Sequence, residues 1–426
     1  MAAAFVYFIL PALLLILGLP IFVVLILTST AAILFVAHVP VQAIQTYMFG
    51  SLDNFPLLAV PFFVLAGEIM GRGGIANRVV NWVVSMIGGI RGSLAVTTVA
   101  SSELFGAMAH TSVGTVVAIG RLLFPSLTKH GYSERFAVSL ITSSGAVAVI
   151  IPPSISMILY AMSAQVSAIK LFTAGVLPSL LIGVVDAVYV LIYARVQMVP
   201  LSSPARWKNI WASTKEASWA IGTIVVIFGG IYGGVFTPTE AAGVAVVYSL
   251  FVAMFVYGEI GLPELWQVIV SSVYLIAQIL IIVTGAGVYS WLMTTSGIPQ
   301  SLIDRVTAMH LPHWLTLLFV NAGLLLAGSF LEPPAAILIL TPLLLPVVEA
   351  AGVNAIHFGI IMAVNLSIGL YMPPFGLNLF AARAIFNVPM GAIYRGVLPF
   401  VAVNFAALLI VTYVPAISMI LLKLGH

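Results

Sequence analysis

Two proline pairs, Pro152-Pro153 and Pro373-Pro374, each stand inside a stretch apolar enough to cross a bilayer. Proline has no N–H and its ring crowds the preceding turn, so an unbroken α-helix does not run through such a pair. In hydrocarbon the freed carbonyls have no water to bond. A break at that depth survives only where protein or a polar cavity satisfies them. Each segment is therefore expected to be two half-helices around a gap buried inside the molecule.

That the solvent is a lipid bilayer follows from composition. Of 426 residues, 62% are hydrophobic and 6% are charged, whereas a soluble globule carries roughly a quarter charged residues. The fold class is all-α and polytopic. A net charge of +3 is too small to point to nucleic acid, and the basic residues serve better as markers of topology. The chain has no cysteine, which excludes disulfides and thiolate metal sites. No Lys or Arg precedes the first apolar run and no small-residue cleavage site interrupts it, so it is expected to be a retained helix and not a signal peptide.

Along the chain, residues 3–38 form two spans divided at Gly18-Leu19-Pro20, and residues 39–54 form a loop containing Asp53. A third span runs from Phe55 to Met70. Arg72, Arg78 and Asn81 among Val79, Val80, Trp82, Val83 and Met86 predict an amphipathic helix lying in the interface. The Gly-, Ser- and Thr-rich centre from Gly106 to Thr115 has apolar arms too short to span, which predicts a re-entrant hairpin over about 93–124. The first broken helix covers about 136–165, and a span from Leu171 to Ala194 closes the half. Glu68 and Glu103 are placed near helix ends, paired with Arg72 or a snorkelling arginine.

The charged segment 195–216 is the one extended polar connection, and it separates a first repeat, 1–194, from a second, 217–426. The second holds spans at Trp219–Val235, Glu240–Tyr257 and 267–292, with Thr237-Pro238-Thr239-Glu240 as a capping box. An interfacial helix follows at Gly297–Met309, then a hairpin over about 314–346, a broken helix over about 357–382 and a last span from Val397 to Leu422.

The halves are related by counting. At an offset of 221 Pro125 matches Pro346, Gly131 matches Gly352, the proline pairs match each other, and Gly175-Val176-Leu177-Pro178 matches Gly396-Val397-Leu398-Pro399. The first copy's connections carry Arg72, Arg78, Arg91, Arg121, Lys129 and Arg135, while 294–356 carries only Arg305. Positive charge marks the cytoplasmic side. Five full spans per half then invert the second copy relative to the first, with the 195–216 linker cytoplasmic and both termini outside. Corresponding interruptions in two inverted halves are the sequence mark of a transporter's binding site.

Asn54 to Phe63, Ile150 to Ser154, Thr237 to Ala242, Ile337 to Pro342, His357 to Ile361 and Gly376 to Phe380 resemble the large membrane subunit of tripartite ATP-independent periplasmic (TRAP) transporters, the DctM-like permeases. The match covers essentially the whole chain. The resemblance implies a sodium-driven importer of small organic anions, carboxylates or sulfonates, in the bacterial inner membrane. It further implies a DctQ-like small membrane subunit, a DctP-like periplasmic binding protein, and elevator movement of a transport domain against a scaffold. The alternative is a stand-alone sodium-coupled anion symporter of the same architecture. The chain departs from the family pattern where Ala109-His110-Thr111-Ser112 replaces a Ser-Gly-Ser-Ser run, and at Met372, where Thr is usual.

Sodium is expected as the co-transported ion, with no organic cofactor. Carried over from the family by motif, one Na+ falls on Thr111, Ala148, Ile151 and Pro153, and the other on Glu332, Gly369, Met372 and Pro374, four pairs related by the same offset of 221. Carbonyls of broken helices supply such oxygens. The hydroxyls of Thr111 and Ser112 have back-bonding to their own helix as the competing role, and Ser329-x-x-Glu332 also reads as a capping box. The anion is expected between the hairpin tips, on half-helix N-termini, which favour negative charge. Ser112 and Ser329 at the tips and the equivalent pair Ser144 and Asn365 are candidates there. His110 either donates to the anion or bonds within its hairpin, and Ser144 and Asn365 either face the site or bridge helices. An enzyme is not expected, because no two-His metal spacing, Ser/His pair or phosphate loop is present.

Overall fold

The computed structural model describes residues 3, 5–37, 39–40, 42–109, 111–201 and 204–424; His110 lies outside them. Among the described residues every regular element is helical and none is a strand. Seven helices are long and apolar enough to cross a membrane, and up to eight if a bent pair counts as one span. Two short apolar helices, α1 (Phe5–Ile16) and α2 (Ile21–Ala37), open the chain. Pro20, the N-cap of the second, enforces the division.

Helix α3 (Gln42–Leu52) corrects the loop expected over 39–54. Nothing between Gln42 and Met48 breaks a helix, and Ile44, Met48 and Leu52, four apart, pack inward while Tyr47 stacks on Trp291 at 3.9 Å. Next come α4 (Phe55–Arg72) and the amphipathic α5 (Ile75–Met86), which buries Ile75, Val79, Val80 and Val83. Gly74, at φ 74°, caps α5, and its counterpart Gly297, at φ 68°, caps α15 (Ile298–Ala308). Both N-caps need the left-handed conformation that glycine adopts without strain.

The first hairpin is α6 (Ser93–Ala109) and α7 (Ser112–Lys129). The first broken helix is α8 (Glu134–Ile150) and α9 (Ile155–Ser163), bent by 42°. Then α10 (Ala168–Val196) crosses, and the linker folds into α11 (Trp207–Glu216). The second half follows with α12 (Ser218–Tyr232), α13 (Pro238–Val256), which starts with the Thr237–Glu240 capping box, and α14 (Leu262–Thr295). Helix α14 outruns the expected 267–292 because Glu264 accepts the Gly261 N–H at 3.1 Å and so caps it early. After α15 come the second hairpin, α16 (His313–Phe330) and α17 (Pro333–Ala350), and the second broken pair, α18 (Ala355–Gly369) and α19 (Leu377–Phe386). The last expected span is divided into α20 (Met390–Tyr413) and α21 (Ala416–Leu424), because Pro415 cannot continue the ladder.

The repeats interlock. Arm α7 packs on α19 and arm α17 on α9, so each hairpin holds the other repeat's broken helix. At the centre α8 is buried from Phe136 to Val147 and α18 from His357 to Gly369. Ser367 Oγ donates to the Ala146 carbonyl at 2.8 Å, two residues 221 apart. Equivalent positions touch each other only where the pseudo-two-fold axis passes between them. The fold is therefore all-α and polytopic, with two inverted repeats, each containing a hairpin and a Pro-Pro broken helix.

Close backbone contacts seat both hairpins. A Cβ on Gly106 would lie 2.2 Å from the Ala148 Cβ, and one on Gly369 would lie 2.4 Å from the Gly328 carbonyl carbon. Gly369→Ala is expected to cost about 1–3 kcal/mol through overpacking and to lower the midpoint of thermal unfolding in detergent. Gly323→Ala, where nothing lies within 4 Å of the new Cβ, should leave it unchanged.

Candidate functional site

The two breaks and the two hairpin tips point the starts of four half-helices at one place. Thr111 precedes α7, Ser154 precedes α9, Glu332 precedes α17 and Gly376 precedes α19. Residues at all four starts line a cavity of about 240 Å³, closed on its other side by Val64 and Glu68 of α4 and by Leu275, Gln278, Ile279 and Ile282 of α14.

Each start is built by its local sequence. Thr111 Oγ1 caps α7 by accepting the Gly114 N–H at 3.4 Å, and Thr115 Oγ1 bonds back to the Thr111 carbonyl at 2.7 Å, so both tip hydroxyls are engaged within their own helix. Ser154 Oγ donates to the Val149 carbonyl at 2.7 Å, which satisfies one acceptor freed by the first break. Beyond the second break, the Asn378 N–H returns to the Leu370 carbonyl at 2.9 Å. Ser112 Oγ donates to Asn378 Oδ1 at 2.7 Å, and Asn378 Nδ2 donates to the Thr142 carbonyl at 3.2 Å. One amide thus ties the first tip to both broken helices.

The four ends differ electrically. Helix N-termini carry unpaired N–H groups and the positive end of the dipole. At α7 and α9 every residue of the first turn carries an N–H; Thr111 caps the one of Gly114, and α9 has no side-chain cap. Helix α17 starts with Pro333 and Pro334, which have no N–H, and places the Glu332 carboxylate at the rim instead. Glu332 makes no side-chain capping bond, and Ser329 sits in the last turn of α16 donating to the Leu326 carbonyl at 2.7 Å. The expected Ser329-x-x-Glu332 capping box is therefore absent, because Ser329 belongs to the preceding helix. Across the cavity Glu68 pairs with Arg72 at 3.4 Å and accepts from Ser271 at 3.2 Å.

Of the candidate residues, Thr111, Ser112 and Glu332 line the cavity. His110 lies outside the described residues. Ala148 and Ile151 belong to the first break, where the Ile151 N–H reaches the Ala148 carbonyl at 3.4 Å; Pro153 follows directly. Gly369 and Met372 repeat this, the Met372 N–H reaching the Gly369 carbonyl at 3.1 Å, and the Pro374 carbonyl accepts from Tyr394 at 2.8 Å. These six residues flank the cavity through main chain and are not among its lining. Ser144, Ser329 and Asn365 stand off it as well. Asn365 donates to Asn321 Oδ1 at 2.6 Å and to the Ile361 carbonyl at 2.8 Å, so it bridges α18 and α16, and Ser144 is buried with an unpartnered hydroxyl. Among the described residues no group of three His, Cys, Asp or Glu could hold a metal.

Four lining groups escaped sequence reasoning: Glu68 as a wall residue, Gln278, Ser154 and Ser156. Ser156 is 8% exposed, and its hydroxyl makes no hydrogen bond to the described residues. Its place two residues into a half-helix after a proline pair was the available signal.

Residues 8–417 match the family model described as "Tripartite ATP-independent periplasmic transporter, DctM component". The chain is 41% identical over 395 residues to the C4-dicarboxylate TRAP transporter large permease protein DctM of Pseudomonas aeruginosa, covering 93% of this chain and 92% of that protein. It is 37% identical over 411 residues to the isethionate TRAP transporter permease protein DctMQ of Oleidesulfovibrio alaskensis, covering 96% and 64%. To the ectoine TRAP transporter large permease protein TeaC of Halomonas elongata it is 37% identical over 369 residues, covering 87% and 86%. In fold it resembles the YdaH transporter of Alcanivorax borkumensis, with a TM-score of 0.67 over 95% of this chain and 97% of the other at 14% identity.

Asn378→Ala is expected to leave the buried Ser112 hydroxyl and Thr142 carbonyl without their partner, at about 1–3 kcal/mol per orphaned group. Limited proteolysis of the purified protein should then cut sooner between α6 and α7 than in the wild type. An unchanged cleavage rate would mean that the tip is held by other contacts.

Proposed function

The chain belongs to the DctM component family of tripartite ATP-independent periplasmic transporters, and on that premise we propose that it is the large membrane subunit of a sodium-driven importer of small organic anions. It is a multi-pass membrane protein, and in bacteria such permeases sit in the inner membrane. The family is one of transporter permeases. The observation that carries the reading is the convergence of four half-helix starts on one cavity. The N–H groups and dipoles of α7 and α9 favour a carboxylate or sulfonate there without a buried arginine. Ser112, with Ser154 and Ser156 beside it, supplies hydroxyls, and His110, between the cavity residue Ala109 and Thr111, donates to the anion.

Two sodium ions accompany the substrate, one held by Thr111, Ala148, Ile151 and Pro153, the other by Glu332, Gly369, Met372 and Pro374. Sodium takes several oxygen ligands, and the carbonyls at the two breaks are the natural source. Support comes from the matching geometry of the breaks, where Ile151 and Met372 make the same contact to Ala148 and Gly369. Hairpins and broken helices move together as the transport domain against the wall of α4 and α14, as an elevator. A small membrane subunit and a periplasmic binding protein complete the assembly. The relative named DctMQ supports the first of these. The relatives' names span C4-dicarboxylate, isethionate and ectoine, so the part of the site described here serves the acid group common to many solutes.

In proteoliposomes, uptake of a binding-protein-delivered acid should require the small subunit, the binding protein and an inward sodium gradient, and should fall at least tenfold when potassium replaces sodium. Glu332→Gln should raise the sodium concentration needed for half-maximal uptake. His110→Ala should raise the KM for the acid. Uptake by the chain alone would instead assign it as a stand-alone symporter, and sodium-independent uptake would remove the ion sites.

A further inference from the structure

Away from the cavity, two carboxylates meet inside the helical bundle with no cation to neutralise them. Glu103, expected near a helix end, sits in the middle of α6, and Asp186 sits in the middle of α10. Helices α6 and α10 pack on each other. Glu103 lies against Gly183, where a Cβ would fall 2.0 Å from Oε1 and 2.7 Å from Oε2, so glycine makes room for the carboxylate. Asp186 is three residues further along α10, on the same face, and the two carboxylates are electrostatic neighbours.

Asp186 is fully buried, and its Oδ1 accepts from Asn404 Nδ2 of α20 at 3.0 Å. Three oxygens here are buried without a partner: Glu103 Oε1, Asp186 Oδ2 and Asn404 Oδ1, the last on a side chain only 1% exposed. All three are acceptors. Turning the amide of Asn404 over would only exchange one orphan for another, and the one further donor beside it, the Tyr371 hydroxyl, is set against Asn404, so Glu103 Oε1 and Asp186 Oδ2 are left without a donor. The ion pairs among the described residues belong to Arg72 and Arg78, and none reaches either acid. The titratable groups facing the pair are Tyr371, whose hydroxyl donates to the Phe400 carbonyl at 3.5 Å, and Tyr189 on α10, beside Arg135 of α8. His357 of α18 is held by Ser418 and the Thr412 carbonyl.

With Asp186 fully buried and Glu103 Oε1 sealed beside it, two charged carboxylates here would each lose hydration and would repel each other. We propose that Glu103 and Asp186 form a proton-binding site, separate from the cavity, in which one proton resides on Glu103 and is donated toward the Asp186 carboxylate. Asp186 keeps the remaining charge because it already has a donor in Asn404, whereas Glu103 has none. Glu103 as a whole is half-buried, but its Oε1 and Asp186 Oδ2 are sealed in the seam, so a proton held between those two oxygens leaves only if α6 and α10 separate. Glu103 is eight residues before Thr111 on the arm that carries the first cavity tip, roughly 12 Å along the helix at 1.5 Å per residue. The bound proton therefore fastens that arm to α10, and its loss loosens the tip.

The test is infrared spectroscopy of the purified chain in lipid. At neutral pH a C=O stretch of a protonated carboxylic acid should be present, should shift in D2O, and should be lost in Glu103→Gln but kept in Glu332→Gln. In Asp186→Asn it should move in frequency, because the acceptor changes. If Glu103→Gln fails to fold, Gly183→Ala serves, since its Cβ must displace Glu103 and shift the band while both acids remain. A spectrum with no such band, a band indifferent to position 103 or 183, or a band that vanishes when sodium chloride is added at constant pH would overturn the proposal.

Discussion

Every backbone group inside a bilayer needs a partner, and this chain twice removes partners at the centre of its own core. Pro152-Pro153 and Pro373-Pro374 follow the ends of α8 and α18, the helices buried without interruption over Phe136–Val147 and His357–Gly369, and precede α9 and α19. The freed carbonyls are then met locally. Ser154 bonds Val149, Asn378 bonds Leu370 through its own N–H, and turns close at Ala148–Ile151 and Gly369–Met372. A break needs a roof as well as local bonds. Each break is accordingly covered by the tip of a hairpin, which approaches close enough that Gly106 and Gly369 have no space for side chains.

From this the cavity follows. A half-helix that starts inside the molecule presents unpaired N–H groups, and a hairpin that turns inside it does the same at its second arm. Two breaks and two tips make four such starts, and the pseudo-two-fold axis through Ala146 and Ser367 brings them to one place. The symmetry is then broken chemically: α7 starts with Ser112, Val113 and Gly114, while α17 starts with two prolines behind a carboxylate. The first tip thus presents N–H groups to the cavity, and the second presents a carboxylate in their place.

Much of the architecture was legible beforehand because it depends on backbone chemistry, which sequence records directly. Proline pairs, glycine caps and the offset of 221 located the breaks, the hairpins and the repeat. Side-chain direction was harder to foresee. Over Phe136–Val147 and His357–Gly369 every residue is buried, so no polar face marks which hydroxyl or amide points toward solute. Ser144 and Asn365 are equivalent in the repeat, yet one is buried in packing and the other is bonded to Asn321. Likewise Glu103 was assigned to a helix end, where it could snorkel, because hydropathy does not show that Gly183 leaves a pocket for it mid-helix. Helix α3 was missed because its inward face is a narrow stripe against α14.

The central claim is that the interrupted helices enclose a water-reached cavity suited to anions and sodium, and a single cysteine tests it most directly, since the chain has none. In Ser156→Cys reconstituted in liposomes, an anionic, membrane-impermeant thiol reagent should react, and sodium, but not potassium, should change the rate by closing the two tips on their ions. A thiol at that position that stays unreactive from both sides of the membrane, or that reacts at one rate in either salt, would contradict it.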